Sequence, residues 1–231
     1  MKFEMKNKVP PIIITFIGPV GVGKSTQISL LVQYYRGKNR KTIETYIRSV
    51  HGTTFVLDYF IERMIDLIKK NNGSFDEDLE RRMFERITPL WNISDSISIL
   101  MKFFFYVYLP FQLGYNVILE EGLIMSIENY LIFRPYFIGV KPIRLRLLDL
   151  LLRWTRCHRH LDIVLDATDD EISNRRMSRT FRQYETEDFI KLQRRSMSKL
   201  VGEEFLRINT SGKSVKDVNN IILGYIIKNG F

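Results

Sequence analysis

The sequence predicts a three-layer α/β domain built on a parallel β-sheet, and three observations carry that expectation. Short apolar runs rich in Ile and Val recur along the chain. They are continuous rather than alternating, the pattern of strands buried on both faces. Longer segments with helical periodicity separate them, and strand followed by helix implies crossover connections that cover both faces of a sheet. Finally, no internal repeat, low-complexity tract or long Pro/Gly linker interrupts the 231 residues, 45% of which are hydrophobic. One domain over residues 1–231, with an ample core, is therefore expected.

The elements are expected in the following order. A first strand, Ile12 to Ile17, leads into a helix from Lys24 to Arg36, whose Ile28, Leu31, Val32 and Tyr35 fall on one face. A second strand covers Thr42 to Ile47. Helical patterns at Phe55 to Lys70, Asp76 to Ile87 and Ser94 to Leu113 then form a helical insertion over about residues 54–113, a lobe placed where such folds grip a second substrate. The third strand, Asn116 to Glu120, precedes helices at Leu123 to Phe133 and Ile143 to Cys157; the latter alternates Leu with Arg, so its apolar side should pack and its basic side face solvent. The fourth strand, Leu161 to Leu165, precedes helices at Asp169 to Met177 and Glu187 to Val201. A fifth strand, Glu204 to Ile208, and a helix from Val215 to Lys228 close the chain.

Composition narrows the function classes. The formal charge of +9 favours polyanionic partners such as nucleotides, nucleic acid or an anionic membrane face. Much of the excess lies in Lys141 to Arg159 and Arg175 to Lys199. The single cysteine, Cys157, cannot form an internal disulfide, and the apolar run near the N-terminus is too short for a signal peptide. The apolar cluster around Phe103 to Tyr115 falls short of the roughly 20 residues that span a bilayer. A cytoplasmic protein without membrane partners is expected, and the aromatic cluster is a candidate surface for a homodimer.

The chemistry is concentrated at GPVGVGKST, residues 18–26. Gly18, Gly23, Lys24 and Ser25 satisfy G-x-x-x-x-G-K-[ST], directly after a buried strand and at the start of an amphipathic helix. Gly21 and Gly23 lack a Cβ, so the backbone can fold round a phosphate with its N–H groups inward, Val22 and Thr26 completing the cradle. The helix N-terminus adds partial positive charge. Lys24 would reach the β and γ phosphates of ATP, and the Ser25 hydroxyl would hold Mg²⁺. A second string, TSGKS at Thr210 to Ser214, imitates the motif, but Arg207 stands where its first glycine belongs. It reads as a turn and helix start, with Lys213 near the edge of the nucleotide base.

These residues resemble the thymidylate kinase family, within the P-loop nucleoside monophosphate kinases. The matching stretches come in the family's order: ITFIGPVGVGKSTQISLL, Arg48-Ser-Val-His-Gly-Thr53 after the second strand, Gly114 to Glu120 into the third, then LDIVLDATDDEISNRR with an arginine-rich stretch behind it. The resemblance implies a five-stranded parallel sheet of order 2-3-1-4-5 and transfer of the γ-phosphoryl of ATP to a nucleoside monophosphate, dTMP first among them, with Mg²⁺. It also implies a lid at about residues 175–186. Pro19, Val20 and Val22 leave the loop without a basic residue, whereas the lid offers Arg175, Arg176, Arg179 and Arg182. That is the family's lid-arginine design, with Arg182, and Arg179 second, as the catalytic cation and Arg48 as the clamp on the acceptor's phosphate.

The chain departs from the family after the third strand, where Asp-Arg is replaced by Glu120-Glu121-Gly122. Glu120 can still orient Mg²⁺. Glu121, at a substrate-binding position, puts a carboxylate where a guanidinium should meet a phosphate. Two unit charges 4 Å apart interact by about 4 kcal/mol at an effective dielectric of 20. Either Glu121 points elsewhere or the acceptor carries no phosphate there; a nucleoside or other alcohol would welcome a carboxylate base. Trp91, Lys102 and Phe103 are stand-ins for the family's aromatic and arginine pair on the acceptor base. Two further readings stand beside the kinase: a nucleic-acid-associated ATPase, for which no stacking motif or zinc module is seen, and a nucleotide-binding protein without transfer activity. His158 and His160 flank Arg159 with no further metal ligand at workable spacing.

Overall fold

The computed structural model describes residues 9–47, 59–60, 63, 77–133, 135, 141–177, 187–200, 202 and 204–231. The expected helix over 55–70 falls almost entirely outside them, as do Arg48, Arg179 and Arg182.

Among the described residues the strands form one parallel sheet, ordered β2-β3-β1-β4-β5. They are β1 (Ile13–Ile17), β2 (Thr42–Tyr46), β3 (Asn116–Glu120), β4 (His160–Asp166) and β5 (Leu206–Asn209). Each lies within two residues of its expected bounds. All four pairings are parallel, and β1, at the centre, aligns Phe16 with Glu120 of β3 and with Ile163 of β4. The direction of the chain reverses on either side of β1, so the crevice beyond its carboxyl end is the place where such sheets bind ligands.

The sequence of β1 explains its central place. Ile13 to Ile17 are all buried, and successive residues serve opposite faces. Ile12, Ile14 and Phe16 pack with Ile28, Leu31 and Tyr35 of α1 (Lys24–Gly37) and with Val218, Ile222 and Ile226 at the other end of the chain. Ile13 points the other way, into a cluster with Val117, Leu119, Ile99, Phe103, Val107 and Phe111. Helices on both faces complete the three layers.

Two expected helices in the insertion are one. α2 runs unbroken from Glu77 to Phe103 through Pro89. Pro89 is on the exposed side, where water can serve the carbonyl group that loses its partner. A π-helical segment, Phe104–Tyr108, then joins α2 to α3 (Leu109–Gln112). The whole stretch Glu85–Gln112 is long and apolar enough to cross a membrane by length and composition, longer than the apolar cluster expected there. Its inner face, with Ile99, Phe103, Val107 and Phe111, packs against the sheet. The lobe expected of the insertion is thus, in its described half, a layer of the domain.

The helix expected over Leu123 to Phe133 is α4 (Leu123–Glu128) followed by a π-helical segment, Asn129–Phe133. α5 (Arg146–Arg156) buries Leu148 and Thr155, and its Arg156 lies 3.7 Å from Glu204. Its Trp154 packs edge-on to Phe103 and lies against His158, the ring centroids 4.2 Å apart, which gives that histidine a packing role. α6 (Asp169–Met177), α7 (Glu187–Leu200) and α8 (Val215–Lys228) follow the expected bounds within one residue.

Candidate active site

The phosphate loop fills the turn between β1 and α1. Gly18 is required there by contact as well as by conformation: its φ is +152°, and a Cβ would lie 2.2 Å from the carbonyl oxygen of Leu165 on β4. Gly21 and Gly23 have φ of +98° and +96°, a region that side-chain-bearing residues rarely adopt. Val22 is 1% exposed and packs in the core, so it can serve a ligand only through its backbone. The first turn of α1 contains no acidic residue to compete with an anion.

Lys24 and Ser25 are placed by the start of α1. The Lys24 ammonium donates to the carbonyl groups of Gly18 (2.7 Å) and Pro19 (3.1 Å), curled back over the loop. It also stands 3.5 Å from Glu121 Oε1. Ser25 Oγ donates to Glu120 Oε1 at 2.8 Å. A hydroxyl and a carboxylate oxygen therefore share one locus at the edge of the loop, the hard oxygen donors that Mg²⁺ prefers. The residues present fit that ion.

Glu121 answers one question raised by the sequence. It is 7% exposed, and its carboxylate turns toward Lys24 of the loop. Its φ of +56° is uncommon for a residue with a side chain, and its N–H donates to the Phe16 carbonyl, which fixes the turn as β3 ends. The next residue must be small, because a Cβ on Gly122 would come within 2.7 Å of Thr15 Cγ2.

Behind Glu121 lies a group that the sequence reading missed. Glu128, on the last turn of α4, is fully buried, and among the described residues neither carboxyl oxygen has a hydrogen-bond partner. Burial, and secondarily the charge of Glu121, push its pKa up to about 8. A carboxyl in that setting stays protonated near neutrality. The available signal was a lone acidic residue inside the apolar run LIMSIENYLIF. Nearby, the Tyr130 hydroxyl donates to the buried Asp95 of α2. Asp95 shares the inward-facing stripe with Trp91 and Phe103, which are buried as core residues, while Lys102 lies over the Tyr46 ring at 4.5 Å.

A cavity of about 250 Å³ opens beside the loop. Gly21, Gly23, Thr26 and Gln27 form one wall, Arg175, Thr210 and Lys213 the other. In the imitation motif, Lys213 lines the cavity, and Ser214 starts α8 by capping it through a reciprocal pair of bonds with Asp217. Asp217 is held below its usual pKa by the bonds from Ser214. Arg175 of α6 donates to Thr210 Oγ1 (3.1 Å) and to the Thr210 carbonyl (3.2 Å) and pairs with Glu171 at 3.3 Å, so this member of the lid set braces the cavity wall. On the opposite side of the loop, Arg194 of α7 bonds Asp166 at 3.0 Å and also Asp169.

The fold is shared with a solved structure. A thymidylate kinase from Candida albicans aligns over 96% of this chain and 93% of its own, with a TM-score of 0.58 and 14% sequence identity. The chain has the thymidylate kinase fold. A thymidylate kinase from Ehrlichia chaffeensis covers 95% of this chain and 99% of its own at a TM-score of 0.47 and 15% identity. No protein-family model matches the sequence, and no curated protein matches it either. Within the thymidylate kinase fold, the implied strand order 2-3-1-4-5 is the one observed.

Proposed function

We propose that the protein transfers the γ-phosphoryl group of a nucleoside triphosphate, ATP being the first to test, to a nucleoside monophosphate, with dTMP the first acceptor to test. The observation that carries this reading is the loop itself. It combines glycines in left-handed conformations, a buried ammonium within the loop and a hydroxyl–carboxylate pair at its edge, with a base-sized cavity alongside. Phosphoryl transfer needs two anions held in line and the moving charge neutralised, with little covalent help.

In this reading Lys24 and the backbone of Gly18, Gly21, Val22, Gly23, Ser25 and Thr26 bind the triphosphate. Ser25 and Glu120 hold Mg²⁺, which would neutralise charge on the β and γ oxygens. Arg48 binds the acceptor phosphate, and Arg182, with Arg179 second, covers the transferring group; all three lie outside the described residues. The substrates are soluble nucleotides and the setting is the cytoplasm. The outward side chains of the aromatic cluster, Phe104, Phe105 and Tyr106, are about half exposed and form the surface for a homodimer.

A second reading is favoured by Glu121. A buried carboxylate facing the loop lysine suits an acceptor that brings a neutral hydroxyl, which it could deprotonate, better than one that brings a phosphate. Incubation with Mg·ATP and a panel of nucleosides and nucleoside monophosphates, following ADP and the phosphorylated acceptor together, tests both. ADP formation that depends on dTMP or another monophosphate supports the first reading, and dependence on a nucleoside the second. Stimulation by DNA or RNA alone would point to an ATPase acting with nucleic acid, and binding without turnover to a protein that only holds nucleotide.

A further inference from the structure

One buried carboxyl takes no part in the site described above. Asp162, in β4, is 6% exposed and lies on the face of the sheet that carries Ile17, Ile124, Val164 and Met197. Burial raises its pKa, while the charges of His160 and Arg156 and a hydrogen bond from Thr15 act in the opposite sense. His160 Nε2 stands 3.9 Å from Asp162 Oδ2. Thr15 and Asp162 are register partners in β1 and β4, so their side chains share a face, and the threonine hydroxyl donates to the carboxyl. Thr15 is buried as well.

Thr15 has a second neighbour. Its Cγ2 methyl lies under Gly122, where a Cβ would come within 2.7 Å of it, while Oγ1 would be 3.6 Å from the same point. The side chain therefore turns its methyl to the Glu121–Gly122 turn and its hydroxyl to Asp162. A β-branched residue is stiff at χ1, so fixing one branch fixes the other. The turn is tied to β1 at the following residue too, through the Glu121 N–H and the Phe16 carbonyl. Glu121 has a φ of +56° and its carboxylate is 3.5 Å from Lys24 Nζ, so the seat of this turn sets where the carboxylate stands.

We propose that Asp162 is a positioning residue of the active site: by holding the Thr15 hydroxyl it keeps the methyl under Gly122 and so aims the Glu121 carboxylate at Lys24. Asp162 acts through Thr15. The inference rests on the reading of the loop as a nucleotide site and adds a residue behind it that governs its charge arrangement.

Without an acceptor at position 162, the Thr15 hydroxyl and methyl can exchange places, and the turn loses its seat. Asp162→Leu removes the acceptor and leaves an apolar side chain in a buried strand, so the fold should survive. Calorimetry with Mg·ATP should show its Kd moved at least about threefold, in the same direction as that of Glu121→Gln. Thr15→Ser, which deletes the methyl, should move it the same way. Asp162→Asn, whose amide oxygen still accepts from Thr15, should bind within about 1.5-fold of the unaltered protein. Thr15→Val presents a methyl on either branch, so the double variant Thr15→Val/Asp162→Leu should regain the unaltered affinity. A change in melting temperature with Kd unmoved would mark a pair that serves stability alone. An effect shared by Asp162→Asn, or kept in the double variant, would mean that the charge acts at long range. Either result would overturn the proposal. In ¹H–¹⁵N spectra without nucleotide, the Glu121 and Gly122 amide signals should shift in Asp162→Leu and return in the double variant, and unchanged signals would overturn it as well. Uptake of no nucleotide by the unaltered protein would sink the kinase reading, and the amide signals would then decide this one by themselves.

Discussion

Lys24 and Glu121 face each other across 3.5 Å, both almost fully buried, at the point where a triphosphate would lie. The loop lysine thus meets a carboxylate from the end of β3 before any nucleotide arrives. A phosphate must draw the ammonium away and tolerate the carboxylate, so Glu121 should weaken nucleotide binding. Glu121→Gln is expected to lower the Kd for Mg·nucleotide about tenfold, equivalent to about 1.4 kcal/mol. Titration calorimetry reads this directly, and weaker binding would show that the carboxylate orients Lys24 instead. If the acceptor is an alcohol, the same variant should also lose turnover while binding the donor more tightly.

Gly18, just after β1, abuts Leu165 of β4 with no space for a methyl group. Gly18→Ala should destabilise the fold by about 2–4 kcal/mol, because the Leu165 carbonyl belongs to the sheet and cannot move aside cheaply. Urea denaturation would show a lower midpoint. An unchanged midpoint would mean that β4 yields more readily than its pairing with β1 implies.

The sign of the Glu128 effect follows from its raised pKa. In the unfolded chain the carboxyl loses its proton near the usual glutamate value, while in the fold it keeps it until about pH 8. Between those values the unfolded state binds fewer protons, so this group's contribution to stability falls as pH rises through that window and levels off above about 8. Glu128→Gln should remove that slope. Its stabilising effect should grow to a few kcal/mol by pH 8, at about 1.4 kcal/mol per pKa unit. Thermal or urea melts from pH 5 to 8 would check it, and a variant less stable at pH 8 would contradict it.

Arg182→Ala should reduce turnover by at least ~10²-fold, the usual loss of one transition-state donor, with little change in nucleotide affinity. Steady-state kinetics with the acceptor found by the panel would measure it. If Arg179→Ala shows the loss and Arg182→Ala does not, the roles of the two are exchanged.

Much of this fold could be read from residue pattern, and for definite reasons. Ile13 to Ile17 form an uninterrupted apolar run because both sheet faces are covered, and a parallel strand announces itself in that way. GPVGVGKST was legible because the motif fixes the residue type at Gly18, Gly23, Lys24 and Ser25, directly between an apolar strand and an amphipathic helix. The union of two helices through Pro89 was not, since a proline marks a helix break unless its face happens to be exposed. Glu128 was hidden because the pattern cannot tell which face of a short helix is inward. The direction of Glu121 was also undetermined, as it depends on a left-handed turn that only one residue makes.

The wide turn at Phe104–Tyr108 has a consequence for how the domain tolerates change. Trp91, Asp95, Ile99, Phe103, Val107 and Phe111 are all buried at intervals of four, yet in an ideal α-helix each such step overshoots by about 40°. The π-helical segment absorbs part of the accumulated overshoot. The segment takes up about one extra residue, so deleting a single residue there would restore ordinary winding and leave Val107 and Phe111 facing the sheet, whereas a deletion elsewhere in α2 would rotate them by about 100° toward water. Length is therefore forgiving at this point and strict along the rest of α2, although nothing in the local composition says so.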